Sequence, residues 1–142
     1  MAEMTEPEIY RFIDDLPART AKLATVKADG SPHVAPIWVA VDGTDLVFTT
    51  HETSLKGRAL QRDPRVAMSF DDERPPFSFV IVEATARIVD DLDELLHWAT
   101  VIGGRYMGDD LAEQYGRRNG VRGELLVRVT PSRLIGRRDI AA

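Results

Sequence analysis

The residue types best suited to chemistry lie between Thr49 and Arg58, in the run TTHETSLKGR. Two hydroxyl residues end a predicted strand, two more stand at a predicted helix cap, and Lys56 and Arg58 follow in the first helical turn. Cations at a helix N-terminus are unfavourable unless an anion binds there, because that end carries a partial positive charge. Backbone N–H groups, hydroxyls and both cations could then converge on one phosphate, and Gly57 would let a ligand or another backbone approach closely. The alternative is a solvated basic helix start, and the residues alone favour neither reading.

A second candidate group surrounds Trp38, in the predicted strand segment APIWV. Pro36 cannot donate to a ladder, which predicts a sheet edge or a bulge at this point. A planar ring could lie against such a bulge, and Trp38 could equally be a core residue. Arg105 and Tyr106 supply a cation and a phenol in a predicted loop, where a simple interhelical turn would look the same.

Composition and motif content exclude several classes of function. The 142 residues contain no cysteine, which removes thiol and Cys-ligated metal chemistry, and His33, His51 and His97 have no metal-ligand spacing. A net charge of −5 disfavours sequence-independent nucleic-acid binding. No apolar run approaches a membrane span, and the first residues do not resemble a signal peptide. We therefore expect a cytoplasmic protein that holds no metal, binds no nucleic acid and does not span a membrane.

Period-two patterns predict six or seven strands along the chain. Asp29-Gly30 and Asp42-Gly43 are hairpin-turn dipeptides, which predicts that the first three strands form an antiparallel meander. Pro131 interrupts the last pattern, and Leu134–Gly136 is a candidate for its resumption. The predicted strands are Lys22–Lys27, Pro32–Val41, Asp45–Thr50, Arg65–Asp71, Phe77–Val89 and Glu124–Thr130.

Helical periodicity appears in four segments. Thr5 and Glu8 have capping-box spacing before a helix that we expect to run to Leu16, ahead of Pro17. The other predicted helices are Leu55–Arg62, a segment opened by Asp90-Asp91 and broken or ended at Gly103-Gly104, and Asp109–Arg118. The pattern predicts one α+β domain over residues 1–142, mainly β, with a closed antiparallel barrel.

Taken together, these segments resemble the pyridoxamine 5′-phosphate oxidase-like split-barrel superfamily, and more narrowly its deazaflavin-using branch of F-420-dependent reductases. The segments that carry the resemblance are KLATVKADGSPHVAPIWVAVDG, LVFTT, SLKGRALQRDPRVAMSFDD and FVIVEATARIVDD. The resemblance implies a six-stranded antiparallel split β-barrel of the FMN-binding type. It also implies a homodimer with two cofactor sites at the subunit interface.

The resemblance further implies a role for each matched position. Ser54, Lys56 and Arg58, with Gly57 between them, would hold the cofactor phosphate. Thr49 and Thr50 would line the approach to the phosphate, and Pro36, Ile37 and Trp38 would flank the ring system. Phe77, Trp98 and Tyr106 would form the wall that the neighbouring subunit contributes.

The implied activity is hydride transfer from reduced F-420 to an electron-poor organic acceptor such as an enone, a quinone or a conjugated tetrapyrrole. The proton would come from solvent or a nearby donor, for which Arg105 and Tyr106 are candidates. One alternative is an FMN-dependent oxidoreductase of the pyridoxamine phosphate oxidase type, and another is a non-catalytic binder of a phosphorylated cofactor.

Two segments depart from the family pattern. Val82–Thr85 lacks the glycine that members commonly carry in the middle of the long strand. The segment LLVRVTPSRLIGRRDIAA does not match the substrate-binding segment of true pyridoxamine phosphate oxidases. Vitamin B6 oxidation is therefore not implied, while use of a flavin stays open.

Overall fold

A computed structural model describes all residues, 1–142. The chain contains eight strands, four α-helices and one 3₁₀ turn (Asp109–Leu111). In chain order they are β1 (Ala2–Glu3), α1 (Glu6–Asp14), β2 (Ala21–Val26), β3 (Pro32–Ile37), β4 (Ala40–Asp42), β5 (Asp45–His51), α2 (Leu55–Arg62), β6 (Arg65–Asp72), β7 (Ser78–Val89), α3 (Leu92–Met107), α4 (Ala112–Asn119) and β8 (Glu124–Arg138). No helix combines the length and apolar character needed to cross a membrane.

The first helix begins as its sequence predicts. Thr5 and Glu8 form the reciprocal capping box, which satisfies N–H groups that the first turn leaves without partners. The helix ends at Asp14 rather than continuing to Leu16, because a residue that precedes proline is disfavoured in the α conformation. The buried side chains of Ile9 and Ile13 attach α1 to the main core.

The strands form one antiparallel sheet in the order β3-β2-β6-β7-β8-β5-β4, and β1 pairs with β8. The α+β split-barrel class is confirmed. The sheet has eight strands rather than six. The prediction of a closed barrel is wrong, because the hydrogen-bonded path is open, with β3 and β4 at its two ends. The sheet wraps around a core whose largest fully buried side chains include Phe48, Phe70, Leu23 and Met68.

The prediction of a single strand over Pro32–Val41 is wrong, because the chain leaves the sheet at Trp38 and Val39. The β3 segment pairs with β2, whereas β4 pairs with β5, so the three-strand meander is also wrong. The physical reason is that side chains of α3 take the hydrogen bonds of Val39: its N–H donates to the Tyr106 hydroxyl, and its carbonyl accepts from Arg105.

The prediction that Gly103-Gly104 breaks or ends the third helix is also wrong, since α3 continues to Met107. These glycines allow close helix packing. A Cβ added at Gly103 would lie 2.6 Å from the Tyr115 Cβ, and one at Gly116 would lie 2.0 Å from the Thr100 Oγ1. The following helix was predicted over Asp109–Arg118, and it divides into the 3₁₀ turn and α4.

The last strand continues through Pro131 instead of ending at Thr130. Glu83 pairs with Arg133 and Ala84 with Pro131, so Ser132 is left as a bulge. The Ser132 hydroxyl donates to the Glu83 carbonyl at 3.0 Å. The bulge lies opposite the middle of β7, which contains no glycine. A β-bulge bends the strand that contains it, so the extra residue Ser132 of β8 marks the bend at this point of the sheet.

Candidate functional site

The junction between β5 and α2 is fixed by hydroxyl groups. Ser54 caps α2, accepting from the Gly57 N–H at 2.9 Å, and its own hydroxyl donates to the His51 carbonyl at 2.8 Å. The Thr50 Oγ1 lies 2.9 Å from the Ser54 Oγ. These contacts set the helix N-terminus close beside the end of the strand.

Gly57 is required by this close approach. A Cβ at this position would lie 2.2 Å from the His51 carbonyl oxygen, a distance that no side chain could tolerate. The sequence left two explanations for Gly57: the close approach of a ligand or that of another backbone segment. The structure supports the second explanation, because the His51 carbonyl occupies the space beside Gly57.

Lys56 and Arg58, the two cations at the start of α2, have different surroundings. Lys56 lines a pocket, and its ammonium makes neither an ion pair within 4.0 Å nor a hydrogen bond. Arg58 instead donates through Nε to the Thr53 carbonyl at 2.9 Å and does not line that pocket. Lys56 is therefore the cation available to an anionic ligand.

The pocket beside Lys56 has a volume of about 370 Å³, and we call it the α2 pocket. This volume lies within the range typical of small-molecule sites. Its walls come from β5, α3, the start of α2 and the break between β3 and β4. Seven of the twelve lining residues belong to the set predicted from the sequence: Pro36, Ile37, Trp38, Thr49, Thr50, Ser54 and Lys56.

Five further lining residues were not predicted as site residues: His51, Ala99, Ile102, Asn119 and Glu124. Ala99 and Ile102 are buried residues of α3. Glu124 enters the pocket because β8 pairs with β5, which sets it directly opposite His51. The helical spacing of Ala99 was a usable signal, but no local pattern links Glu124 to residues more than seventy positions earlier.

The sequence left two roles open for Trp38, a position beside a bound ring and a place in the core, and the structure shows features of both. Its side chain lines the α2 pocket and is also packed against aromatic residues of the helices. The Tyr106 ring is stacked on it, with centroids 5.1 Å apart and planes 3° from parallel, and the Tyr115 ring lies 6.0 Å away in a tilted arrangement. The indole is thereby held as a fixed wall of the pocket.

Arg105 joins α3 to two other segments of the chain. Its guanidinium donates to the Val39 carbonyl at 3.0 Å, to the Ile13 carbonyl at 3.2 Å and to both the carbonyl and the carboxylate of Asp14. The side chain is only 11% exposed and does not line the α2 pocket. This geometry supports a positioning role rather than the proton-donor role predicted for Arg105.

Tyr106 is held in a similar way. Its hydroxyl accepts from the Val39 N–H at 3.1 Å and donates to the Arg19 carbonyl at 2.7 Å. Burial raises the pKa of this phenol, although the Val39 N–H and Arg105 act in the opposite direction. Because its proton is committed to a backbone carbonyl, the geometry favours a positioning role for Tyr106 as well.

The two other residues assigned to a neighbouring subunit's wall lie outside the α2 pocket of their own chain. Phe77 has a left-handed backbone, with φ of 64°, and is 41% exposed next to Ile140. Trp98 is half-buried on α3, edge-to-face with His97. Their contribution to a partner subunit stays a prediction.

Glu124 brings a carboxylate into the pocket that contains Lys56. Burial raises the pKa of Glu124, while His51 and Lys56 lower it. The carboxylate makes no ion pair within 4.0 Å and no side-chain hydrogen bond. The pocket therefore contains one unpaired ammonium and one unpaired carboxylate.

A larger concavity of about 750 Å³ lies beside α1, and we call it the α1 cleft. It contains four arginines, but three of them are paired with carboxylates of the same cleft. Arg74 binds Asp72 at 3.0 Å, Arg138 binds Glu8, and Arg19 lies 3.9 Å from Asp72. Because five carboxylates also line it and outnumber the four arginines, the α1 cleft is a weaker candidate for an anionic ligand than the smaller pocket.

Comparison with known proteins agrees with this fold. Residues 5–136 match the sequence profile of the family described as pyridoxamine 5′-phosphate oxidase. The conserved hypothetical protein Rv2991 of Mycobacterium tuberculosis is similar, with 28% identity, a TM-score of 0.83, and coverage of 98% of this chain and 89% of that one. An F420 reductase has 28% identity and a TM-score of 0.64, with coverage of 82% and 88%.

A more distant structure shows the same fold. The heme storage protein HutZ of Vibrio cholerae has 21% identity and a TM-score of 0.71, with coverage of 92% of this chain and 94% of that one. No curated protein matches the chain.

Proposed function

Because the chain belongs to the pyridoxamine 5′-phosphate oxidase family, we propose that it is an oxidoreductase that binds coenzyme F-420 in the α2 pocket. The proposed reaction is the reduction of an electron-poor organic acceptor by hydride transfer. The choice of a deazaflavin over a flavin is supported by the sequence segments that resemble the F-420-dependent branch. It is also supported by 28% identity to an F420 reductase over 82% of the chain.

The observation that carries the proposal is the unpaired ammonium of Lys56 in a pocket that is also lined by apolar side chains. An unpaired cation next to a helix N-terminus suits a phosphate. Ile37, Trp38 and Ile102 supply flat and aliphatic surface for a ring system. The residues present therefore fit a cofactor with one anionic end and one planar end.

The chain's own residues would bind and orient the cofactor and keep water away from its ring. Lys56 and the N-terminus of α2 would hold the phosphate, and Thr49 and Thr50 would border the path between phosphate and ring. Stacking on Tyr106 keeps the Trp38 wall in place. When bound, a reduced deazaflavin supplies the hydride, so the protein contributes mainly binding, orientation and electrostatics.

The proposal includes a homodimer in which the partner subunit covers the α2 pocket. Support comes from the resemblance and from exposed aromatic and aliphatic side chains such as Phe77 and Ile140, which are 41% and 39% exposed. Light scattering of the purified protein would measure the mass in solution. A monomer would contradict this part of the proposal.

The test of activity is anaerobic turnover of reduced F-420 with a panel of quinones and enones, followed through the absorbance of the reoxidised cofactor. We expect protein-dependent oxidation of reduced F-420 with at least one acceptor, and slower oxidation of reduced FMN. Faster turnover with FMN would move the protein to the flavin oxidoreductases. Tight binding of F-420 without turnover across the panel would make it a cofactor-binding protein.

A further inference from the structure

Two side chains of opposite charge line the α2 pocket, Lys56 and Glu124. They are more than 4.0 Å apart, since no ion pair joins them, and neither is neutralised by another residue. His51 is the third ionisable side chain of the pocket, and its Nδ1 lies 2.8 Å from the Thr53 Oγ1. A ligand in the pocket would therefore meet one ammonium and one carboxylate.

Apart from the partial positive charge of the α2 N-terminus, the groups near the helix start add no positive charge to the pocket. The Arg58 guanidinium is turned to the Thr53 carbonyl, outside the pocket. The Ser54 hydroxyl proton is committed to the His51 carbonyl. Lys56 is thus opposed by Glu124, and their formal charges sum to zero.

The opposite charges of Lys56 and Glu124 affect the binding of a phosphate monoester and of a phosphate diester differently. A phosphate monoester carries about −1.5 to −2 at pH 7, whereas a diester carries a single charge and has no second ionisation near neutrality. The penalty for removing an ion from water rises steeply with its charge, and it must be offset by charges in the site. A site with one cation and one opposing carboxylate offsets that penalty better for a single charge than for two.

We propose that Glu124 makes the α2 pocket selective for a ring cofactor whose phosphate is a singly charged diester, against the doubly charged monoester of the same ring system. The inference rests on the proposed function, because it assumes that the cofactor phosphate lies beside Lys56. F-420 carries its phosphate as a diester and FMN carries a monoester. Glu124 would thus be a specificity-determining residue for the choice between them.

The test compares three probes that share one ring: riboflavin, FMN and the methyl ester of FMN, whose phosphate is a diester. Quenching of flavin fluorescence at pH 7.5 and fixed low salt gives each Kd. We expect wild type to bind the methyl ester more tightly than FMN. In Glu124→Gln the affinity for FMN should rise about tenfold and that for the methyl ester about threefold, because loss of a nearby repulsion scales with ligand charge. Riboflavin should bind as before.

Matched variants distinguish the effect of the Glu124 charge from the effect of its side-chain size. Glu124→Asp keeps the carboxylate and should retain the preference for the diester, whereas Glu124→Ala should behave like Glu124→Gln. Glu113→Gln removes an acid that is 89% exposed on α4, away from the pocket, and should change none of the three Kd values. Added salt should narrow the difference between FMN and its methyl ester in wild type.

The outcomes distinguish this inference from the proposed function. If F-420 binds wild type but the folded charge-removing variants gain equally for all three probes, or gain for none, Glu124 is not a charge selector. The proposed function would survive that result. If neither F-420 nor any flavin binds wild type, the proposed function fails and the inference fails with it.

Discussion

The α1 cleft and the α2 pocket show that the amount of charge in a cavity does not decide what it can bind. The cleft has about twice the volume and four arginines, yet three of these are held by carboxylates within the chain. The pocket has a single lysine, and that lysine is unpaired. An anion entering the cleft would meet five carboxylates beside the four arginines, whereas in the pocket it would supply the partner that Lys56 lacks.

Arg105 is the physical link between the two regions. It binds Asp14, which lines the cleft, and it binds the backbone of Val39, which follows the pocket residue Trp38. The same residue therefore fixes one side of the cleft and the strand break that forms one wall of the pocket.

The largest expected effect is on stability, in Arg105→Ala. The change leaves the Val39 and Ile13 carbonyls without their side-chain donor, and buried unsatisfied groups cost about 1–3 kcal/mol each. We predict that the free energy of unfolding falls by about 3 kcal/mol in urea titrations. Arg105→Lys, which can keep one of these bonds, should lose less. Wild-type stability in Arg105→Ala would show that the two regions are not joined through this residue.

The second prediction concerns ligand affinity and contrasts one cation from each region. Lys56→Gln should weaken F-420 binding by about 1.5–3 kcal/mol, roughly tenfold to a hundredfold, because it removes a charged partner of the phosphate. Arg74→Gln removes a cation of the cleft that is already paired with Asp72 and should leave the Kd unchanged. Calorimetric titration of both variants is the measurement. A larger loss in Arg74→Gln would reverse the assignment of the two cavities.

The smallest expected effect is the pH dependence contributed by the cleft. Hydrogen bonds from the Arg74 side chain and backbone hold the pKa of Asp72 at about 2, below its usual 3.8. A carboxylate with a lowered pKa stabilises the folded state above its unfolded pKa, and this contribution disappears as the pH falls from about 4 to about 2. Asp72→Asn should lose less stability than wild type between pH 5 and pH 3. Equal losses of stability in the two proteins, measured by urea titration, would contradict the lowered pKa of Asp72. Added salt should reduce the difference between wild type and Asp72→Asn, since Arg74 is 82% exposed.

The parts of the fold that sequence predicted correctly depend on local signals. The capping box at Thr5, the bounds of α2, and the positive φ of Gly30 and Gly43 all follow from residues within a few positions of one another. The end of α3 could not be predicted in this way. Gly103 resembles a helix terminator in sequence, but its role is to admit Tyr115 from another helix.

The same limit applies to the candidate site. Its β5–α2 half was predicted because strand end, cap and first turn are consecutive in sequence. The break at Val39 depends on Arg105, 66 residues away, and the position of Glu124 depends on its pairing with His51 across the sheet. These contacts are tertiary, so no window of the sequence contains them.

A crystal structure of the protein with F-420 bound tests the central claim most directly. The account predicts that the cofactor phosphate lies within hydrogen-bonding distance of the Lys56 ammonium, with the ring against Ile37 and Trp38. A phosphate bound instead among the arginines of the α1 cleft, with the α2 pocket empty, would contradict it.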